Sequence, residues 1–156
     1  MFRPMIRHAQ QLSFEECEQI LIEAKRGVLS VQGDGGYPYG IPMNHLYLDG
    51  KLYFHCGREG HKLDALRRSV KASFCVIDEG RAEPGDWALR FQSVVVFGQV
   101  REVEDEKEIE RLCRILSGKF TDDQAYVDRE IRESLRHTRC LALSVDHMTG
   151  KRVREA

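Results

Sequence analysis

The segment Gly57-Arg58-Glu59-Gly60-His61-Lys62 holds the sharpest chemistry in this sequence. Its glycines let backbone amides approach a ligand, and the pattern from Leu63 to Arg68 predicts a short helix opening on the loop. The first amides of a helix lack intrahelical acceptors and carry partial positive charge. Lys62 adds a full charge there, with Arg58 nearby, a combination suited to a phosphate. It is not a Walker loop, because Leu63 stands where Ser or Thr is needed, and no G-x-G-x-x-G occurs in the chain. A plain strand-to-helix turn with a surface lysine has the same spacing, so spacing alone leaves both readings open.

His45, His55 and His61 fall within one hairpin and its exit loop. A metal site is not expected from them. His55 and Cys56 are neighbours on a predicted strand and point to opposite faces, and no carboxylate or second cysteine lies at ligand spacing. His45 and His55 stay open as proton-transfer groups, and Cys56 as either a nucleophile beside a histidine or a half-buried structural thiol. No Gly-x-Ser-x-Gly elbow is present. Tyr37, Tyr39, Tyr47, Tyr53 and Trp87 have rings that stack on planar ligands, and tyrosines are equally ordinary in strands.

These residues need elements to position them. Ser13 and Glu16 form a capping box, followed by Cys17, Ile20, Leu21 and Ala24 at helical spacing, and the helix is expected to end at Gly27. Val28 to Val31 reads as a strand, and Gly33 to Gly36 as a turn. Tyr37 to Leu48 is one extended stretch whose Pro38 and Pro42 assign it to an edge or a bulge. Asp49-Gly50 turns it into a hairpin with Lys51 to Cys56. Ala72 to Ile77 and the long run from Ala88 to Val103 are further strands, the latter apolar on both faces in its middle. Ile109, Leu112, Cys113 and Leu116 mark a second long helix stopped by Gly118, and Val127, Ile131 and Leu135 a thinner one. Cys140 to Val145 is the last strand. Tight turns between strands imply antiparallel pairing. The fold class is therefore α+β, mainly β: a six-stranded antiparallel barrel with peripheral helices, in one domain spanning residues 1–156.

Composition narrows the function. The 156 residues carry 24 basic and 25 acidic side chains, a net charge of -1. That leaves no basic excess for nucleic acid, and no basic amphipathic face for a membrane surface. No stretch approaches the ~20 apolar residues of a membrane span, and the first residues do not read as a secretory signal. The five cysteines contain no Cys-x-x-Cys pair. They read as small core residues of a reduced, cytoplasmic protein, with Cys56 alone near the phosphate loop.

Taken in order, Gly27-Val28-Leu29-Ser30, Tyr37 to Met43, Asp49 to His55, Gly60-His61-Lys62-Leu63 and Ser93 to Gly98, then Thr149-Gly150-Lys151, resemble the pyridoxamine 5'-phosphate oxidase-like flavoproteins. Within these the resemblance is to the 5-nitroimidazole reductase (nitroimidazole-resistance) group, and it covers roughly residues 3–151. It implies a split β-barrel homodimer with one FMN in each of two clefts between subunits. By position, Pro42, Met43 and Asn44 would line the isoalloxazine, largely through backbone groups. His55 and Cys56 would follow the ribityl chain, and Gly60, His61 and Lys62 would hold the phosphate. Gln92, Ser93 and Val94 would complete the cleft from either subunit. The implied activity is electron transfer from NAD(P)H through FMN to a small organic acceptor. The oxidases' Arg-Lys pair after a serine is missing, as is their C-terminal substrate segment, so pyridoxamine phosphate oxidation itself is not expected. A haem-binding or haem-degrading member, a non-catalytic flavin sensor and a deazaflavin-dependent reductase are the alternatives.

Overall fold

The structure, a computed structural model, describes residues 2–154. Helix α1 (Phe14–Glu23) starts as its sequence dictates: the Ser13 hydroxyl accepts from the Glu16 amide at 3.2 Å, and the Ser13 amide donates to the Glu16 carboxylate at 2.8 Å. Cys17 and Leu21 are buried on its inner face. The helix ends at Glu23, not at Gly27, because Gly27 already belongs to strand β1 (Arg26–Gln32). The glycine is needed for close approach: a Cβ there would stand 2.6 Å from Phe74 Cζ and would also meet the Cys75 carbonyl.

Strand β2 (Pro38–Asn44) pairs antiparallel with β1, from Arg26 opposite Asn44 to Gln32 opposite Pro38. Strands β3 (Leu46–Leu48) and β4 (Lys51–Gly57) form the hairpin around Asp49 and Gly50, both at positive φ (50° and 72°). Helix α2 (His61–Arg68) leads to β5 (Lys71–Ile77) and the long β6 (Arg90–Glu102). Helices α3 (Glu106–Gly118) and α4 (Gln124–Ser134) precede the last strand, β7 (Thr138–Arg154).

The sheet has seven strands rather than six, in the order β2-β1-β5-β6-β7-β4-β3, with every pair antiparallel. The extra strand arises because Tyr37 to Leu48 breaks at His45. The His45 amide makes the last in-register bond to the chain before β1, at the Lys25 carbonyl, and the chain beyond it pairs with β4 instead of β1. β7 also runs well past Val145. A bulge opposite Phe97 and Gly98 adds Asp146 to the strand, and this one-residue shift interrupts the alternation on which the shorter strand was read. Thr149, Gly150 and Lys151 therefore lie within β7, not after it.

Both edges, β2 and β3, belong to the same turn of chain, and the sheet curls until β2 touches β4 with no ladder between them. That seam is the split of the barrel. Its prolines sit where an edge tolerates them. The barrel interior is filled by Leu29, Leu52, Phe54, Phe74, Val94, Val96, Leu141 and Leu143, all essentially inaccessible. A second cluster, Leu46, Ile109, Leu112, Leu116 and Cys140, packs α3 onto the outside of β3 and β7. The opposite face of β6 is only partly covered: Phe2 packs on Phe97 at 5.3 Å between ring centroids, yet Phe97 stays 38% exposed and Val95 half-buried. No described helix is long and apolar enough to cross a membrane.

Candidate functional site

The seam between β2 and β4 brings most of the predicted site residues together, with the start of α2 at its end. β2 is an edge strand, so the backbone groups of its outer side have no ladder partner. Pro42 and Asn44 share the outer face with Val28 and Arg26, their cross-strand partners, whereas Met43 points inward and is buried. Its backbone faces Gly27 in a bonded row of the ladder, so at the free edge the exposed backbone groups are those of Pro42 and Asn44. Asn44 and His55 line a common cavity of about 150 Å³ closed by Cys113, Ser117, Phe120 and Tyr126.

The alternation of β4 separates His55 from Cys56 as its spacing requires. His55 lines the cavity while remaining exposed, and partial desolvation by its neighbours lowers the ring's proton affinity. Cys56 packs against the barrel core, where burial raises its thiol pKa despite the opposing charge of Lys62. The two side chains thus serve different sides of the sheet.

Gly60 caps α2 with φ of 133°, a conformation that favours glycine, and no side chain caps the helix. The amides of Leu63 and Asp64 bond the Gly60 carbonyl, which leaves the His61 and Lys62 amides without a backbone acceptor among the described residues. A Cβ at Gly57 or Gly60 would meet nothing within 4 Å, so the loop borders open space. His61 stacks on Tyr39 of β2 at 4.2 Å between ring centroids, and its Nε2 lies 3.2 Å from the Asp34 carboxylate. These contacts fasten α2 to the β1–β2 turn across the seam.

Four cations, Arg58, Lys62, Arg67 and Arg68, stand in this region, and they are not equivalent. Arg68 pairs with Asp34 at 2.5 Å, Arg67 with Asp64 at 3.2 Å, and Arg58 donates to the Arg136 carbonyl at 2.9 Å. Lys62 alone among these four has no ion-pair or hydrogen-bond partner among the described residues. It is the charge left for an incoming anion.

Gln92, Ser93 and Val94 are not brought to this seam within one chain. Ser93 pairs with Ile77 on β5, and β1 intervenes before β2, so it lies three strand spacings, ~14 Å, from Asn44. The Val94 side chain is sealed in the barrel.

Two residues escaped sequence reasoning. Lys119, just past α3, donates its ammonium to the carbonyls of Ala24 at 2.6 Å and His45 at 3.1 Å, locking the corner where β2 becomes β3. Its position after a helix signals only interaction with that helix's own end. His45, read as an ordinary hairpin histidine open to proton transfer, is completely buried. Its Nε2 donates to the Leu21 carbonyl at 2.8 Å, its Nδ1 has no partner, and burial pushes its pKa down to about 4. It is a neutral structural group with no path to a ligand. Among the described residues no His, Cys, Asp and Glu cluster is arranged for a metal ion.

Comparison with known proteins places this geometry. A Bacteroides thetaiotaomicron protein named for 5-nitroimidazole antibiotic resistance is 26% identical over 93% of this chain and 87% of its own, with a TM-score of 0.80. A Mesorhizobium loti protein named as FAD-binding shares the fold at 23% identity, TM-score 0.71, covering 92% of this chain and 97% of that one. A flavocytochrome from Azotobacter vinelandii shares it at 15% identity, TM-score 0.75, over 96% and 72% of the two chains. No curated protein matches the chain. The family profile described as pyridoxamine 5'-phosphate oxidase matches residues 13–152, and the chain belongs to that family.

Proposed function

We propose that the protein is a flavin-dependent oxidoreductase that binds FMN along the β2–β4 seam of a homodimer. In this reading it takes electrons from NAD(P)H and passes them to a small organic acceptor. The observation that carries the reading is Lys62: an unpaired cation beside uncapped amides, on a loop whose glycines border open space. A phosphate monoester needs that arrangement, and the residues present fit one. Lys62 and the amides of His61 and Lys62 would hold the phosphate. The free backbone edge offers the Pro42 carbonyl and the Asn44 amide and carbonyl to a planar heterocycle, with Met43 between them. His55 and Asn44 supply polar groups in the adjoining cavity. The Asp34 carboxylate is held by His61 and Arg68, which reduces its repulsion of a bound phosphate. When bound, the flavin supplies the hydride and electron transfer that no side chain here can perform.

The dimer rests on a separate observation. Pro42, Val28, Cys75, Val95 and Thr149 form one cross-strand row on the outer face of five strands. Val28 is 40% exposed, and Ile77 and Phe97 flank the row with much of their surface open. A continuous apolar band of this kind on a soluble surface calls for a partner, and a second copy related by two-fold symmetry is the simplest one. Such a copy would bring Gln92 and Ser93 toward the other chain's β2 edge, completing a cleft that one chain leaves open. The FAD-binding name of the Mesorhizobium loti neighbour supports a flavin as the class of cofactor.

Lys62→Ala tests the reading. Losing a charge-assisted contact of ~1.5–3 kcal/mol should weaken FMN binding at least tenfold, measured by quenching of flavin fluorescence on titration with apoprotein. An unchanged affinity overturns the assignment of the cradle.

A further inference from the structure

All five cysteines are free thiols, and one thiol–thiol contact occurs among the described residues: Cys113 Sγ on α3 lies 3.7 Å from Cys140 Sγ on β7. Their surroundings differ in a way that assigns them different roles. Cys140 is buried beneath α3, and its partner across the β4–β7 ladder is His55. Cys113 stands on the flank of the buried Ile109, Leu112 and Leu116 stripe, half-exposed, and forms part of the wall of the cavity shared with His55. A cavity of about 150 Å³ admits a small oxidant to Cys113 but not past it.

We infer that Cys113 and Cys140 form a hydroperoxide-reactive dithiol, with Cys113 as the attacking thiol and Cys140 as the resolving one. The Cys113 thiolate attacks one peroxide oxygen; the S–O bond forms, the O–O bond breaks, and the leaving oxygen departs as water or alcohol after taking a proton. Cys140 then attacks the Cys113 sulfur. The S–S bond forms, the S–O bond breaks, and water leaves with the Cys140 proton. Overall the two thiols lose two protons and two electrons, and the hydroperoxide is reduced. The sulfurs must close from 3.7 Å to about 2.0 Å, a movement that side-chain rotation and a small shift of α3 supply. The shared contact favours this order: it lowers the pKa of Cys113, while the same contact and burial raise that of Cys140. The inference does not depend on the flavin.

Peptide mapping of the purified protein after brief hydrogen peroxide treatment and alkylation under denaturing conditions tests it. The thiol titre is expected to fall from five to three, with a Cys113–Cys140 cross-linked peptide lighter by two hydrogens and restored by dithiothreitol. In Cys140→Ser, dimedone should trap a sulfenic acid at Cys113. In Cys113→Ser, peroxide consumption of thiols should slow by about tenfold or more. If either variant fails to fold, the wild-type map decides alone. Free alkylation of Cys113 and Cys140 after oxidation overturns the inference, as does first oxidation at Cys56 or Cys75.

Discussion

His45 should make the protein acid-sensitive in a pH window set by its burial. Its ring is held neutral, with a pKa pushed from 6.5 to about 4, because protonation would put a charge on an unpartnered nitrogen inside the core, near the Lys119 ammonium. Unfolding releases the ring to its ordinary pKa, so between the two values the unfolded chain binds more protons than the folded one. The stabilisation is complete above the unfolded value and is lost as pH falls through 6.5 toward 4. The full difference corresponds to ~3 kcal/mol, of which ~2 kcal/mol is already gone at pH 5. His55 is shifted in the same direction and contributes with the same sign. The carboxylates held below their usual range, such as Glu16 and Asp86, lose their contribution only at lower pH. A comparison with His45→Gln isolates the residue, since the amide can still donate to the Leu21 carbonyl but does not titrate. Urea melts followed by far-ultraviolet circular dichroism at pH 7 and pH 5 give the double difference. Wild type should lose ~2 kcal/mol more than the variant over that interval. A difference below about 0.5 kcal/mol would refute the burial argument, because the ring would then be able to take up its proton in place.

Two further changes probe the fold and the assembly. Gly98→Ala places a Cβ against the Ser144 carbonyl and 2.6 Å from Leu143 Cδ2 at the β6–β7 bulge, and should cost ~1–3 kcal/mol; an unaltered urea midpoint contradicts that packing. Val95→Asp puts a charge in the middle of the exposed apolar row and should convert a dimer to a monomer in sedimentation velocity, with loss of bound flavin; a dimer that survives the change removes this face from the interface.

The local rules carried much of the architecture. The Ser13–Glu16 box, the Asp49-Gly50 hairpin, the inward stripe of α3 and the edge position of the proline-bearing strand are all visible because each depends on residues close in sequence. What was not legible depends on distant partners. Gly27 looked like a helix stop, but its function is to let Phe74 and Cys75 come close, a contact nearly fifty positions away. The seventh strand exists because Lys25 and Lys119 capture His45, and β7 extends because one residue bulges opposite Phe97 and Gly98. At the site, the phosphate loop was readable from its glycines and Lys62. That Arg58 and Arg68 are already committed to the Arg136 carbonyl and Asp34 was not, since those partners come from distant segments, whereas the Arg67–Asp64 pair lies within α2.

A flavin monophosphate bound at a site organised by Lys62 would be visible in the absorbance spectrum of the purified protein. The protein should show the visible band of oxidised flavin, with one FMN per chain released on denaturation, and bleaching when NADH or NADPH is added without oxygen. A haem Soret band in place of the flavin band, or a colourless protein that free FMN cannot load, would contradict it.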